Sequence, residues 1–304
     1  MASINDLATA ASAVSALVTP VAAPHPSLPD SAAQIEQSGG DGVETERPPV
    51  ARGALVVLEG LDRSGKTTQV KLLEQRFVEL GKKVKVMRFP DRTTPIGQMI
   101  DSYLKSQVEM DDHAIHLLFS ANRWEAAKTI SALLTSGTTV LCDRYYHSGI
   151  VYSAAKQNPS LTLSWARAPE VGLPRPDLVL FLDLDETQAR ARGGWGGEAY
   201  EKAEMQRRVR ELFWGLSMGK IGTATVIETG GEEGPTEEVA VGPPAATQPL
   251  MGTEYRFRQE EEDLHVVDAS PSVEEVAEEV WKVVKARVEA VEKGEVGRVV
   301  RRIS

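Results

Sequence analysis

Residues Leu55-Val56-Val57-Leu58-Glu59-Gly60-Leu61-Asp62-Arg63-Ser64-Gly65-Lys66-Thr67-Thr68 decide the fold. An apolar run, Ala54 to Leu58, leads into G-x-x-x-x-G-K-T, and a helix-like stretch to Leu80 follows. Strand, glycine loop and helix in that order are what a phosphate-binding loop requires. Gly60 and Gly65 let the backbone curl so that successive N–H groups face one point. The helix N-terminus behind them adds partial positive charge. Lys66 is placed to reach the β- and γ-phosphates of a nucleotide, and the Thr67 hydroxyl to ligate Mg²⁺.

Outward from this loop the chain alternates short apolar runs with helical periodicity. Strands are expected at Ala54–Leu58, Lys83–Arg88, Thr139–Cys142, Leu178–Leu182 and Leu264–Asp268. Helices are expected at Thr67–Leu80, Ile96–Leu104, Asp112–Leu134, Glu186–Arg192, Glu198–Leu216 and Val273–Val291, with one more opening at Ser148-Gly149-Ile150-Val151-Tyr152. That alternation predicts an α/β fold with a five-stranded parallel sheet covered by helices on both faces.

Two segments depart from it. Residues 1–50 carry six prolines and few aromatics and read as a disordered extension. Residues 223–263 are acidic and Gly/Pro-punctuated, and read as an insertion into a domain that spans 51–304. The net charge of −10 is concentrated in these two stretches, which hold −5 and −8 and leave the remainder at +3. Such a core suits small anionic ligands better than nucleic acid, which would need a dense basic face. No apolar run is long enough to span a bilayer. The first basic residue is Arg47, so neither a secretory nor a mitochondrial leader is expected, and the reading is a cytoplasmic protein with a nuclear location left open. The single cysteine, Cys142, reads as a buried small hydrophobe. The basic cluster Arg298 to Arg302 reads as a solvated helix end.

In open α/β sheets, ligands bind at the carboxyl ends of the strands. After the second strand stands Phe89-Pro90-Asp91-Arg92, and after the third Asp143-Arg144-Tyr145. The long middle helix carries Leu117-Leu118-Phe119-Ser120-Ala121-Asn122-Arg123-Trp124. Three arginines, Arg92, Arg123 and Arg144, thus gather near a phosphate loop, and the guanidinium fork suits phosphates and base edges. Phe119, at helical spacing among apolar neighbours, is by pattern alone a core residue before it is a stacking platform.

These strings, with Gly172-Leu173-Pro174-Arg175-Pro176-Asp177-Leu178 and Val266-Val267-Asp268-Ala269-Ser270, resemble the thymidylate kinases of eukaryotic type, a family of phosphate-loop nucleoside monophosphate kinases. The resemblance runs from Gly53 to about Val291, apart from the insertion. It implies ATP and Mg²⁺ as cofactors, dTMP as the second substrate, a short lid, and a homodimer that uses no nucleic acid or membrane. It implies a nucleotide site of Gly60, Arg63, Ser64, Gly65, Lys66, Thr67 and Thr68, with Thr67 and Asp143 at the metal. It implies that Arg92 and Arg144 hold the acceptor phosphate, that Phe119 stacks on thymine, and that Arg123 bonds a base oxygen. Asp62 would reach the sugar 3′-hydroxyl, with Tyr152 and Tyr200 crowding C2′. Phe89, Ser148, Gly149 and Gln206 complete the implied acceptor site. Asp62, Arg63, Lys66, Asp143 and Arg144 form the implied catalytic set. The lid would be Gly193–Glu198. It holds no arginine, and in this family a lid of that kind goes with a loop arginine such as Arg63. Ala199 departs from the family, where an arginine stands.

Two rival readings use the same loop. A deoxynucleoside kinase would need a carboxylate base, for which Glu59 is the candidate. A catalytically inactive nucleotide-binding protein would tolerate loss of Lys66, Thr67, Arg63 or Asp143, and all four are present.

Overall fold

The computed structural model describes residues 51–192, 197–217 and 264–304. The N-terminal extension, residues 193–196 of the lid and the acidic insertion lie outside the described residues.

Five strands form one parallel sheet: β1 (Leu55–Gly60), β2 (Val84–Arg88), β3 (Thr139–Asp143), β4 (Leu178–Asp183) and β5 (Leu264–Asp268). Their spatial order is β2-β3-β1-β4-β5, with every neighbouring pair parallel. β1, the central strand of the sheet, and β3 beside it are both fully buried and read as largely apolar runs because both faces are covered.

Successive side chains along a strand point to opposite faces, and this splits the core in two. Val56, Leu58, Leu180 and Leu182 pack under α1 (Lys66–Glu79) and the C-terminal helix α8 (Val273–Glu292). That helix presents Val276, Val280, Val284 and Val288 at four-residue spacing, one stripe of a 3.6-residue helix. Leu55, Val57, Cys142, Val179 and Phe181 face the other layer. It is built from α3 (Asp112–Thr135), α4 (Tyr146–Ala154), the short α5 (Leu163–Arg167) and α7 (Ala203–Ser217). The remaining helices, α2 (Pro95–Leu104) and α6 (Glu186–Ala191), flank the ends of the strands.

Cys142 is fully buried as expected, and burial pushes its thiol pKa up. Three expectations need correction. The helix expected from Glu198 begins only at Ala203, because residues 197–200 turn back against α2, where the Ala199 N–H bonds the Leu104 carbonyl. α5 was not expected, since five residues are too few to show a period. The 298–302 cluster is no solvated helix end. α8 stops at Glu292, and the chain returns to pair Arg302 with Pro174, bury Ile303, and place Arg301 against Asp177 and the Pro176 carbonyl.

Candidate active site

The phosphate loop is held in shape by its backbone. Gly60 has φ of 147° and Gly65 φ of 97°, both in the region glycine occupies freely. A side chain at Gly60 would also come within 2.7 Å of the Leu182 carbonyl. α1 starts on Gly65 with no side-chain cap and no acid in its first turn, so its leading N–H groups and dipole are left for an anion. Lys66 is folded onto the loop, its ammonium donating to the carbonyls of Gly60 at 3.1 Å and Leu61 at 2.5 Å. Burial, and then the nearby Arg144 charge, lower its pKa from 10.5 to about 8.

The second part comes from β3, adjacent to β1 in the sheet. The Thr67 hydroxyl donates to Asp143 Oδ2 at 2.5 Å. A hydroxyl and one carboxylate oxygen at the exit of a phosphate loop are the hard donors that Mg²⁺ takes beside phosphate oxygens. Arg144 follows with φ of 68° and donates to the Gly60 carbonyl, the Ser148 hydroxyl and Asp62. Burial opposes its charge, but Tyr152, Asp62, Glu59 and Asp143 outweigh that and keep it protonated. Asp62 is partly buried, which would raise its pKa, yet Arg144 and Lys66 draw it below the usual carboxylate range.

Glu59 has a different task from the one its position at the strand end suggests. It is fully buried and accepts the Tyr145 and Ser148 N–H groups and the Ser148 hydroxyl. It therefore fixes the β3–α4 turn that carries Arg144. With both oxygens committed, it lines neither cavity described below and is not placed to deprotonate a hydroxyl, which removes the structural basis for a deoxynucleoside kinase.

Two cavities open at the strand ends. The first is lined by Phe89, Arg92, Phe119, Arg123, Ser148, Gly149, Tyr152 and Tyr200, so the residues implied for the acceptor lie together. Gln206 stands behind the wall, donating to Asp62 at 3.0 Å and to the Tyr200 carbonyl at 2.8 Å. The second cavity is lined by Arg63 to Gln69, Asp143 and, across from them, Ala269 to Val276. Asp62, Arg88 and Arg144 line both. Two anions brought to this junction would meet over Arg144.

The remaining arginines are held differently. Arg92 is half-buried between Asp101 at 2.6 Å and Glu198 at 2.8 Å, so a carboxylate at the end of the lid segment occupies the fork implied for the acceptor phosphate. Arg123 is buried and forked onto Glu170, and its guanidinium lies so close to Gly149 that an added Cβ would come within 2.6 Å of it. Arg63 has φ of 67° and stands 3.9 Å from Glu201.

Several participants were not picked out from the sequence. Asn122 accepts the Asp91 N–H and donates to the Asp91 carbonyl, fixing the arm that carries Arg92. Arg192 spans the second cavity, from the Arg63 carbonyl at 3.2 Å to the Ala269 carbonyl at 2.8 Å. Glu170 and Arg88 complete the set. Their partners lie far away in sequence, so no local spacing announces them.

Comparison with known proteins agrees with this geometry. The family model for thymidylate kinase matches residues 58–234, more than half of the chain. A thymidylate kinase of Arabidopsis thaliana is 48% identical over 184 residues, covering 60% of this chain and 69% of the relative. A human thymidylate kinase is 46% identical over 162 residues, covering 53% and 76%. A solved thymidylate kinase from Candida albicans superposes with a TM-score of 0.62 at 30% identity, covering 83% of this chain and 99% of that one. A phosphate loop at the central strand, an arginine shared by two facing cavities, and close likeness in both sequence and structure converge on one assignment: the chain belongs to the thymidylate kinase family.

Proposed function

We propose that the cavity beside Phe119 takes dTMP, the cavity over the phosphate loop takes ATP, and the γ-phosphoryl group passes between them at Arg144. The reaction is that of the family, ATP + dTMP → ADP + dTDP. The observation that carries the assignment of cavities is the sharing of Asp62 and Arg144 by both.

The nucleophile is an oxygen of the acceptor phosphate. Its second pKa is about 6, so it is mostly dianionic at neutral pH and needs no general base. The task is to hold two polyanions in line and to neutralise the moving group. Lys66 leaves the loop carbonyls for the donor phosphates. Arg92 exchanges Glu198 for the acceptor phosphate, and Arg144 bridges the two. Thr67 and Asp143 would hold Mg²⁺, which supplies charge neutralisation at the donor phosphates. Arg63 supplies the charge that the lid lacks. Asp62, fixed by Gln206 and Arg144, orients the sugar, and Phe119 and Arg123 hold the base.

We read the working form as a cytoplasmic homodimer, with α3 and its exposed Leu117 as the surface for a second copy. Among the described residues, no helix is long and apolar enough to cross a membrane.

A coupled assay with ATP, Mg²⁺ and a panel of nucleosides and nucleoside monophosphates tests the reading. dTMP should be phosphorylated best. Turnover of thymidine in place of dTMP would transfer the assignment to a nucleoside kinase, and turnover of neither would leave a binding protein.

A further inference from the structure

Glu170 ends a single turn of helix, Ala168–Glu170, and is fully buried. It does not itself line the acceptor cavity. It acts there through Arg123, whose fork it holds and whose guanidinium lies against Gly149 on the cavity wall. Arg123 is therefore placed only as firmly as the turn that carries Glu170.

Two parts of the fold hold that turn. From α3, the Ser120 hydroxyl and the Trp124 indole N–H donate to the Pro169 carbonyl at 3.2 and 2.7 Å. The second clamp is residues 301–303, distant in sequence. The Gly172 N–H donates to the Ile303 carbonyl at 2.9 Å, and the Gly172 carbonyl accepts from Arg302 Nη1 at 3.0 Å. The Ile303 N–H donates to the Leu173 carbonyl at 3.0 Å, and the Arg175 N–H to the Arg301 carbonyl at 2.9 Å. The Leu173 N–H in turn closes on the Glu170 carbonyl at 3.1 Å. The Ile303 side chain is buried in the same apolar cluster as Leu173 and Tyr145. Tyr145 lines the cavity, and the charges of Arg123, Glu170 and Arg302 all act on its hydroxyl. Were residues 301–303 to part from the turn, Gly172 and the buried Leu173 would lose backbone partners together, so the two segments hold or move as one.

We infer that residues 301–303 are a positioning element for the acceptor site, with Ile303 the residue that seats the Glu170 turn and, through Glu170, Arg123. The inference rests on the reading of this cavity as the monophosphate site. The coupling is reciprocal: a monophosphate held by Arg123 tightens residues 301–303 against the turn, and a nucleotide on the phosphate loop alone does not.

Hydrogen exchange of the full chain tests this at the Gly172, Arg175 and Ile303 amides. Saturating dTMP should slow them by about tenfold, and MgADP should leave them near their free rates. Steady-state kinetics of Ile303→Ala, run well below its melting temperature, gives the second readout. Its KM for dTMP should rise by about tenfold, while kcat and the KM for ATP stay within about twofold of wild type. Ile303→Val, which refills most of the space, should restore the KM for dTMP. A general loosening of the core would raise both KM values together. Equal protection by dTMP and MgADP, no protection by dTMP, or an Ile303→Ala variant whose KM for dTMP is unchanged or rises in step with that for ATP would overturn the inference and leave the kinase assignment standing. If Ile303→Ala does not fold, the exchange of wild type decides alone. Failure of wild type to phosphorylate dTMP at all would remove both.

Discussion

Arg123 and Glu170 form a buried, two-pronged ion pair across 47 residues of chain, with side chains 2% and 0% exposed. The pair makes Arg123, proposed above to hold the base, rigid, since its fork is spent on Glu170 before any ligand arrives. Such a pair adds little net stability over an apolar equivalent, but removing one partner strands the other charge. Glu170→Ala should therefore cost about 3–5 kcal/mol and lower the melting temperature by roughly 10 °C for a domain of this size. Calorimetry of the variant checks this, and a shift under a couple of degrees would show that water already reaches Arg123.

Lys66 gives a pH dependence with a definite sign. Its pKa in the folded protein is about 8, below the 10.5 of free lysine. Between those values the unfolded chain keeps a proton that the folded chain has lost, so stability without nucleotide rises with pH across this window. Nucleotide phosphates need the ammonium, so their binding moves the other way. The affinity for MgADP should weaken progressively above pH 8, and the slope should vanish in Lys66→Met. Isothermal titration at several pH values from neutral to alkaline measures both, and a flat wild-type profile would contradict the burial of the ammonium.

Arg63 tests the division of labour between loop and lid. It sits at φ of 67°, a conformation costly for any side chain but free for glycine. Arg63→Gly should hold or raise the melting temperature while lowering kcat by roughly 10³, as for a charge used in the transition state. Nucleotide affinity should change by less than about tenfold, since uniform binding is not what the residue supplies. Near-normal turnover would pass the role to another cation, with Arg192 and Arg88 the next to examine, because both line the donor cavity.

What could be read in advance follows from how locally each signal is encoded. The strand, loop and first helix are consecutive residues, and the glycines constrain their geometry alone. β1, β3 and β4 carried apolar runs that burial on both faces explains, while the edge strands β2 and β5 mix apolar with polar residues and are only partly buried. Arg92, Phe119, Arg123, Arg144, Tyr152 and Tyr200 do converge on one cavity. What stayed hidden depends on contacts distant in sequence. Glu59 looks like a free carboxylate until the Tyr145 and Ser148 N–H groups are brought to it. Arg301 looks like part of a solvated basic run until the chain folds back onto Asp177. The start of α7 was misplaced because Glu198 and Tyr200 fit a helical period. Tertiary bonds to Arg92 and Gln206 hold them in a turn instead.

Sugar selectivity should reside in Tyr152. Its ring is buried, lines the cavity proposed for the acceptor, and lies beneath the Arg144 guanidinium at 5.3 Å, with the Tyr200 ring 5.5 Å away. Held by both neighbours, it is not free to yield to a 2′-hydroxyl. A hydroxyl forced in without a partner would cost roughly 1–3 kcal/mol besides the clash. Wild type should therefore prefer dTMP to 5-methyl-UMP strongly. Tyr152→Ala should narrow that preference by about tenfold or more for the same reason, while thymine stays favoured over cytosine, because Arg123 is held by Glu170 and not by Tyr152. The same substitution removes a ring that Arg144 packs on, so kcat should fall for both sugars. The ratio of kcat/KM values for the two sugars separates selectivity from that general loss. A ratio unchanged between wild type and Tyr152→Ala would make Tyr152 a support for Arg144 alone and move the reading of C2′ to Tyr200.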